Sequence, residues 1–245
     1  MKTKKADHRF TEDIAREYEM ITLAYPDFEA LQRTMVEGID FSRGQEQPFR
    51  LLEIGTGDGF TTVKLARAME RAGDGAVLTT VDISAEMLAK ARDLLEGALG
   101  EHHVQYRQMD ALAFLQDEPE GHFDVVATSF TLHNFERTYR ESVEQQIHRV
   151  LRPGGVYTNA DKYAPSGQEQ FDALALHIDH FFAAFLPQGK TELLRKWVIH
   201  NISDQSPRHV MFVDETVSRL EKLGFREVRI EQQTGLQAVL RARKG

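Results

Sequence analysis

The sequence predicts an α/β fold built on a seven-stranded, mostly parallel sheet that ends in an antiparallel hairpin. Three observations carry this. Between residues 49 and 160, short apolar runs alternate with amphipathic stretches, the pattern that puts parallel strands beneath helices on both faces. The first run breaks after Ile54 into Gly55, Gly57 and Gly59, a strand-to-helix turn where the backbone can bend sharply and approach a ligand. Beyond Gly224, Phe225 to Glu231 and Leu236 to Arg243 are strand-like runs around Gln232-Gln233-Thr234-Gly235, a hairpin signal.

The elements follow in order. Residues 8 to 40 read as two helices, with Ile14, Tyr18, Ile21 and Tyr25 at helical spacing, an interruption at Pro26, and Phe28, Leu31, Met35 and Ile39 resuming the pattern. Residues 42–48 are polar and turn-rich, a linker. Strand Phe49 to Ile54 precedes a helix from about 59 to 72. Strand Ala76 to Ile83 precedes a helix from 84 to about 98, with Ser84 as N-cap. Val104 to Met109 leads to a short helical piece, Phe123 to Ser129 to a helix from about 136 to 150, and Gly155 to Ala160 is the fifth strand. A long helix over 166 to 187 carries Phe171, Leu174, Ile178, Phe181 and Phe185 on one stripe. A second helical stretch covers about 190 to 201, and a helix from 214 to 223 stops at Gly224, a C-cap glycine.

Composition excludes several chemistries. With no cysteine among 245 residues there is no disulfide scaffold, thiolate metal site or cysteine nucleophile. The 30 Lys+Arg against 38 Asp+Glu, a formal net charge of −8, disfavour a surface built to hold nucleic acid. No signal-peptide core and no apolar stretch approaching the ~20 residues of a bilayer span is present, so a cytoplasmic location without membrane contact is expected.

The candidate site residues sit at strand ends. Asp58, between the second and third glycines, suits a pyrophosphate poorly. Asp82, at the end of the second strand and followed by Ile83, can accept hydrogen bonds from both hydroxyls of a ribose. Asp110 can accept from an exocyclic amine such as that of adenine, with the Ala111 N–H beside it, or serve as N-cap of the next helix. His133 follows the fourth strand at the carboxyl edge, where open α/β sheets bind ligands, and is either a general base or a packed loop histidine. Asp161 ends the fifth strand on the same edge, to hold a substrate or as a solvated strand end. Tyr18 and Tyr25 can cap a ligand or pack between helices. His177 and His180 lie three apart with Asp179 between them, but no third ligand is evident and no metal site is expected.

Glu53-Ile54-Gly55-Thr56-Gly57-Asp58-Gly59, Asp82, Asp110, Phe123 to Ser129 and Leu151-Arg152-Pro153-Gly154-Gly155 together resemble the ordered motifs of class I S-adenosylmethionine-dependent methyltransferases, over about residues 49 to 163. The resemblance implies a Rossmann-like fold, with residues 1–245 forming a single methyltransferase domain. Within it, 1–47 would be an amino-terminal helical cap, 48–163 the cofactor-binding core, 164–207 a helical lid, and 208–245 the closing helix and hairpin. It implies S-adenosyl-L-methionine as cofactor. Gly55, Thr56 and Gly57 would supply backbone to its methionyl part, Glu53 would fix its ammonium end, and Asp82 with Ile83 would meet the ribose. Asp110 with Ala111 would take adenine, and Thr128 and Ser129 would lie beside the transferring carbon. The partner implied is a small-molecule methyl acceptor with an O, N or C nucleophile, and the lid helix is a possible homodimer face. Ile14 to Tyr18 and Val210 to Asp214 are also faintly similar to carboxy-S-adenosylmethionine synthase, a tRNA-modification enzyme, although Thr56 and Asp58 replace its expected Cys-Ser pair. A non-catalytic cofactor-binding module is the third reading.

Overall fold

The computed structural model describes residues 25–41, 48–72, 75–99 and 104–245. The first expected helix, with Ile14, Tyr18 and Ile21, and most of the 42–48 linker lie outside the described residues.

The strands are β1 (Arg50–Ile54), β2 (Val77–Asp82), β3 (Val104–Gln108), β4 (Phe123–Ser129), β5 (Leu151–Lys162), β6 (Phe225–Thr234) and β7 (Gln237–Lys244). They form one seven-stranded sheet in the order β3-β2-β1-β4-β5-β7-β6. The first five strands are parallel, and β7 runs antiparallel to both β5 and β6. The described helices are α1 (Phe28–Glu37), α2 (Phe60–Met69), α3 (Ala85–Leu99), α4 (Ala111–Asp117), α5 (Arg137–Val150), α6 (Gln168–Phe185), α7 (Thr191–Asp204) and α8 (Val213–Lys222).

Side chains alternate along each strand, so the sheet feeds two cores. On one face Leu51, Leu78, Val125, Ala127, Ala160 and Val239 pack with α1, α2, α6 and α7. On the other, Leu52, Ile54, Val126, Tyr157 and Leu240 pack with α4, α5 and α8. All seven residues of β4 are buried, as expected of a parallel strand covered on both sides. α1 is held by Phe28, Leu31 and Met35, each removed from water at roughly 2 kcal/mol per side chain. Among the described residues, no helix is long and apolar enough to cross a membrane.

Three expectations are corrected. The fifth strand is longer than Gly155 to Ala160, since it begins at Leu151 and runs to Lys162. Leu151 pairs with Phe123 and Val156 with Val125, and the ladder irregularity between them holds Pro153 and Gly154, the latter at φ 72°. The hairpin turn is two residues, Gly235-Leu236, because β6 continues to Thr234, and a glycine at φ 57° supplies the positive angle. On α6 the buried row is His177, Phe181 and Phe185, whereas Phe171 and Phe182 are exposed, so the apolar stripe is wider than the surface available to cover it.

Candidate functional site

The order in which strands are added reverses between β1 and β4, which run parallel, and the crevice beyond their carboxyl ends is where this topology receives a ligand. The glycine turn lies on one side of that crevice. Gly55 adopts φ 81°, and a Cβ there would stand 2.0 Å from Thr131 Oγ1, so only glycine lets the loops after β1 and β4 touch. Gly59, at φ 93°, begins α2, and a Cβ would meet Ala91 Cα of α3 at 2.8 Å.

The amides of Gly55, Thr56 and Gly57 are committed within the protein. Gly55 and Thr56 donate to Val81 O at 2.8 and 3.3 Å, and Gly57 donates to Asp82 Oδ2 at 3.0 Å. Asp82 Oδ1 accepts from Ser84 N–H at 2.9 Å, and Ser84 caps α3 through Met87 N–H. Burial pushes the Asp82 carboxyl up, opposed by the Ser84 and Gly57 amides. Ile83 beside it is 43% exposed, an apolar surface at the crevice's edge. Glu53 lies fully buried behind the turn. Its Oε2 accepts from Thr62 and Thr80 hydroxyls, both at 2.7 Å, while Oε1 has no partner. Burial raises this carboxyl to about 7 against the pull of the two hydroxyls, with Asp82 and Asp58 adding to the rise. A buried acceptor without a donor, behind a glycine cradle that a Cβ would fill, suits an ammonium-bearing ligand.

Asp110 is the N-cap of α4. Oδ1 accepts from Ala113 N–H at 3.0 Å and Oδ2 from Tyr139 Oη at 2.8 Å, and Tyr139 in turn accepts from Leu112 N–H. Asp110 is thus a cap with a protein donor on each oxygen, and each oxygen keeps a further lone pair. Thr128 is buried and donates to Asn159 Oδ1 at 2.6 Å, while Ser129 Oγ accepts from Gln32 at 3.4 Å.

The loop after β4 carries the strongest geometry. Phe130 adopts φ 46°, unusual for a bulky residue, and its N–H donates to Ala160 O at 2.8 Å. That bend leads into a short 3-10 turn, Leu132–Asn134, which packs onto the end of β5. Asp161 is correspondingly buried rather than solvated. Oδ2 accepts from Leu132 N–H at 2.8 Å, and Oδ1 is 2.6 Å from His133 Nδ1. A carboxylate only accepts, so Nδ1 carries the proton in this pair, and in the neutral imidazole the lone pair sits on Nε2.

Next to this dyad stands a group that sequence reasoning missed. Lys162 Nζ donates to Asp204 Oδ2 at 2.6 Å, both residues buried, and lies 5.3 Å from the Tyr25 ring centroid. Burial works against the Lys162 ammonium, but Asp204 and the Tyr25 hydroxyl outweigh it and raise the group. His200, one helical turn before Asp204, faces the His133 ring edge-on at 6.1 Å. The signal for His200 and Asp204 was their four-residue spacing on one helix, which puts both on one face. Gln32 of α1 was also missed: it donates to Thr61 and accepts from Lys64, tying α1 to the first turns of α2.

Tyr25 is buried, edge-on to His177 and Phe181, with its hydroxyl 3.5 Å from Asn201. Tyr18 lies outside the described residues. His177 is held neutral, its imidazole lowered to about 3 by burial and by Lys162. The His177 and His180 rings are 6.4 Å apart, and Asp179 is exposed. The ligand-type residues that the fold does gather are His133, His200 and Asp204.

Strand order, glycine turn and the strand-end Asp82 define a nucleoside-cofactor fold of the open α/β type. A family model described as a methyltransferase domain matches residues 51–155. An uncharacterized methyltransferase of Synechocystis sp. is 29% identical over 164 residues, 66% of this chain and 68% of that one. The ubiquinone/menaquinone biosynthesis C-methyltransferase UbiE of Vibrio parahaemolyticus is 34% identical over 108 residues, 43% of this chain and only 38% of that one. A solved S-adenosylmethionine-dependent methyltransferase of Aquifex aeolicus shares the fold, with a TM-score of 0.57 at 17% identity over 93% of this chain and 98% of its own. Residues 51–155 thus form a class I S-adenosylmethionine-dependent methyltransferase domain, and S-adenosylmethionine is the cofactor.

Proposed function

We propose that the enzyme methylates an O, N or C nucleophile of a small molecule held at the carboxyl edge of β4 and β5, with His133 as the base when the acceptor must lose a proton. The observation that carries this reading is the His133–Asp161 pair, an imidazole fixed by a buried carboxylate beside the crevice. Glu53, Gly55, Thr56 and Gly57 hold the methionyl end, and Asp82 takes the ribose diol with Ile83 alongside. Asp110 and Ala111 meet the adenine, and Thr128 and Ser129 border the methionine part. When bound, S-adenosylmethionine supplies a sulfonium methyl to the acceptor. Asp161 keeps Nδ1 protonated and the ring oriented, so Nε2 receives the acceptor's proton while the Nδ1–H bond is maintained. Orientation of this kind and general-base help account for much of an alkyl transfer to an already activated methyl. Asp161 is a positioning residue here, and Tyr25 packs beneath the acceptor's place. Sequence identity to UbiE covers under half of either chain and supports the cofactor half of this reading, not a quinone acceptor.

The test is incubation with methyl-labelled S-adenosylmethionine and a metabolite pool, read by mass spectrometry. A labelled small molecule is expected from the wild type, with His133→Gln slower by about 10²–10⁴-fold on a hydroxyl acceptor. Carboxylated cofactor, or no product, overturns methyl transfer to a small molecule. Equal rates in His133→Gln on a hydroxyl acceptor overturn the base role.

A further inference from the structure

We propose that His133, His200 and Asp204 form a binding site for one divalent transition-metal ion of the zinc type, bearing on the same His133 nitrogen that the proposed base function uses. One ligand-capable atom from each of the three residues lies within 4.8 Å of the others, and all three residues are buried. Two ligands on one tetrahedral ion, each at about 2.0–2.2 Å, stand about 3.3–3.6 Å apart, so a closure of about 1.5 Å at most completes the set. Two of the three come from one helix face: His200 and Asp204 are four apart on α7, with His200 Nε2 3.7 Å from Asp204 Oδ2. Residues at that spacing chelate from a rigid frame, as paired helical histidines do in zinc enzymes.

The surroundings match what a metal-ligating histidine needs. His133 gives Nδ1–H to Asp161, which fixes the tautomer and leaves Nε2 as the ligating nitrogen, the carboxylate–histidine–metal arrangement. Asp161 is anchored independently by Leu132 N–H and Lys162 N–H, both at 2.8 Å, so the imidazole is preset. Charge is compatible as well. With neutral imidazoles, Asp161, Asp204 and Lys162 sum to −1, and a dication brings the cluster to +1. Lys162 touches Oδ2 of Asp204, and a carboxylate has lone pairs for both an ammonium and an ion. Imidazole, imidazole and carboxylate with no thiolate suit zinc and its first-row neighbours, and three protein ligands leave a position open toward the crevice. The ion and the acceptor's proton would compete for the same lone pair, so an occupied site silences the base.

The experiment reads binding alone, with purified full-length protein stripped by chelator. Titration with zinc chloride should show one equivalent bound by calorimetry, and cobalt chloride should give the visible absorption of a low-coordinate nitrogen–oxygen site. Zinc should raise the melting temperature of the wild type, which also reports that each variant is folded. His200→Gln and Asp204→Asn are each expected to weaken zinc binding at least about 100-fold, and Asp161→Asn about 10–100-fold because it no longer fixes the His133 tautomer and ring orientation. A wild type that retains no zinc at micromolar concentration, or binding unchanged in folded His200→Gln, overturns the site and leaves the base reading to its own test.

Discussion

Protonation of Glu53 should make its own share of apo-enzyme stability fall as pH rises, against His177, whose lowered imidazole adds stability over part of the same range. The carboxyl is fully buried and raised from its ordinary 4.5 to about 7, chiefly by burial. Between those values the unfolded chain has lost the proton and the folded one keeps it, so stability falls as pH rises. The full difference is 7 − 4.5, about 2.5 pH units, which at 1.36 kcal/mol per unit is about 3.4 kcal/mol. Between about pH 5 and about pH 8 the share lost is about 2.5 kcal/mol. For a chain of this length that corresponds to a drop of about 5–10 °C in melting temperature. The assay is thermal denaturation of cofactor-free protein across that window, in wild type and in Glu53→Gln. The amide cannot titrate, so the difference between the two curves isolates this one group from histidines that titrate in the same range. A wild-type curve that runs parallel to the Glu53→Gln curve would refute the reasoning, because the carboxyl would then be ionised in both states or solvated in the fold.

Two further substitutions probe the cradle. Asp82→Asn removes a charged acceptor and should weaken S-adenosylmethionine binding about 10–100-fold by calorimetry, the scale of one charge-assisted hydrogen bond of about 1.5–3 kcal/mol. An unchanged dissociation constant would remove Asp82 from the cofactor site. Gly55→Ala sets a Cβ against Thr131 Oγ1 at a positive φ and should cost about 2 kcal/mol or more in chemical denaturation, with loss of cofactor binding. Adding Thr131→Ala should restore part of that stability, and no recovery in the double variant would show that the clash is not the cause.

What the chain's order of residues revealed was mainly local chemistry. The Gly55–Gly59 turn, the strand-end Asp82, the Ser84 cap and the Gly224 stop were legible because each is specified within a few neighbouring residues. Asp110 was legible as a cap for the same reason, but Tyr139 reaches it from 29 residues away and was not. Lys162 stood in view beside Asp161, yet its partner Asp204 is 42 residues distant, and spacing along a chain says nothing about which distant charge will arrive. Apolar periodicity has the same blindness. It marked Phe171 and Phe181 alike, although only Phe181 finds Tyr25 and Trp197 to pack against.

These misses share a cause with bearing on function. The buried polar residues that surround His133 come from β5, α7 and the segment just before α1, elements brought together only because α1, α6 and α7 pack on one face of the sheet. A carboxylate, an ammonium and imidazoles desolvated at one place persist only if each finds a partner there, since an unpaired buried charge costs several kcal/mol. The pairs observed, Asp161 with His133 and Lys162 with Asp204, meet that condition while leaving two imidazoles adjacent. The glycine-turn side of the molecule therefore follows from a motif, whereas the polar cluster around His133 follows from tertiary packing. Chemistry that distinguishes this enzyme from others with the same glycine turn must be sought where α7 meets the ends of β4 and β5.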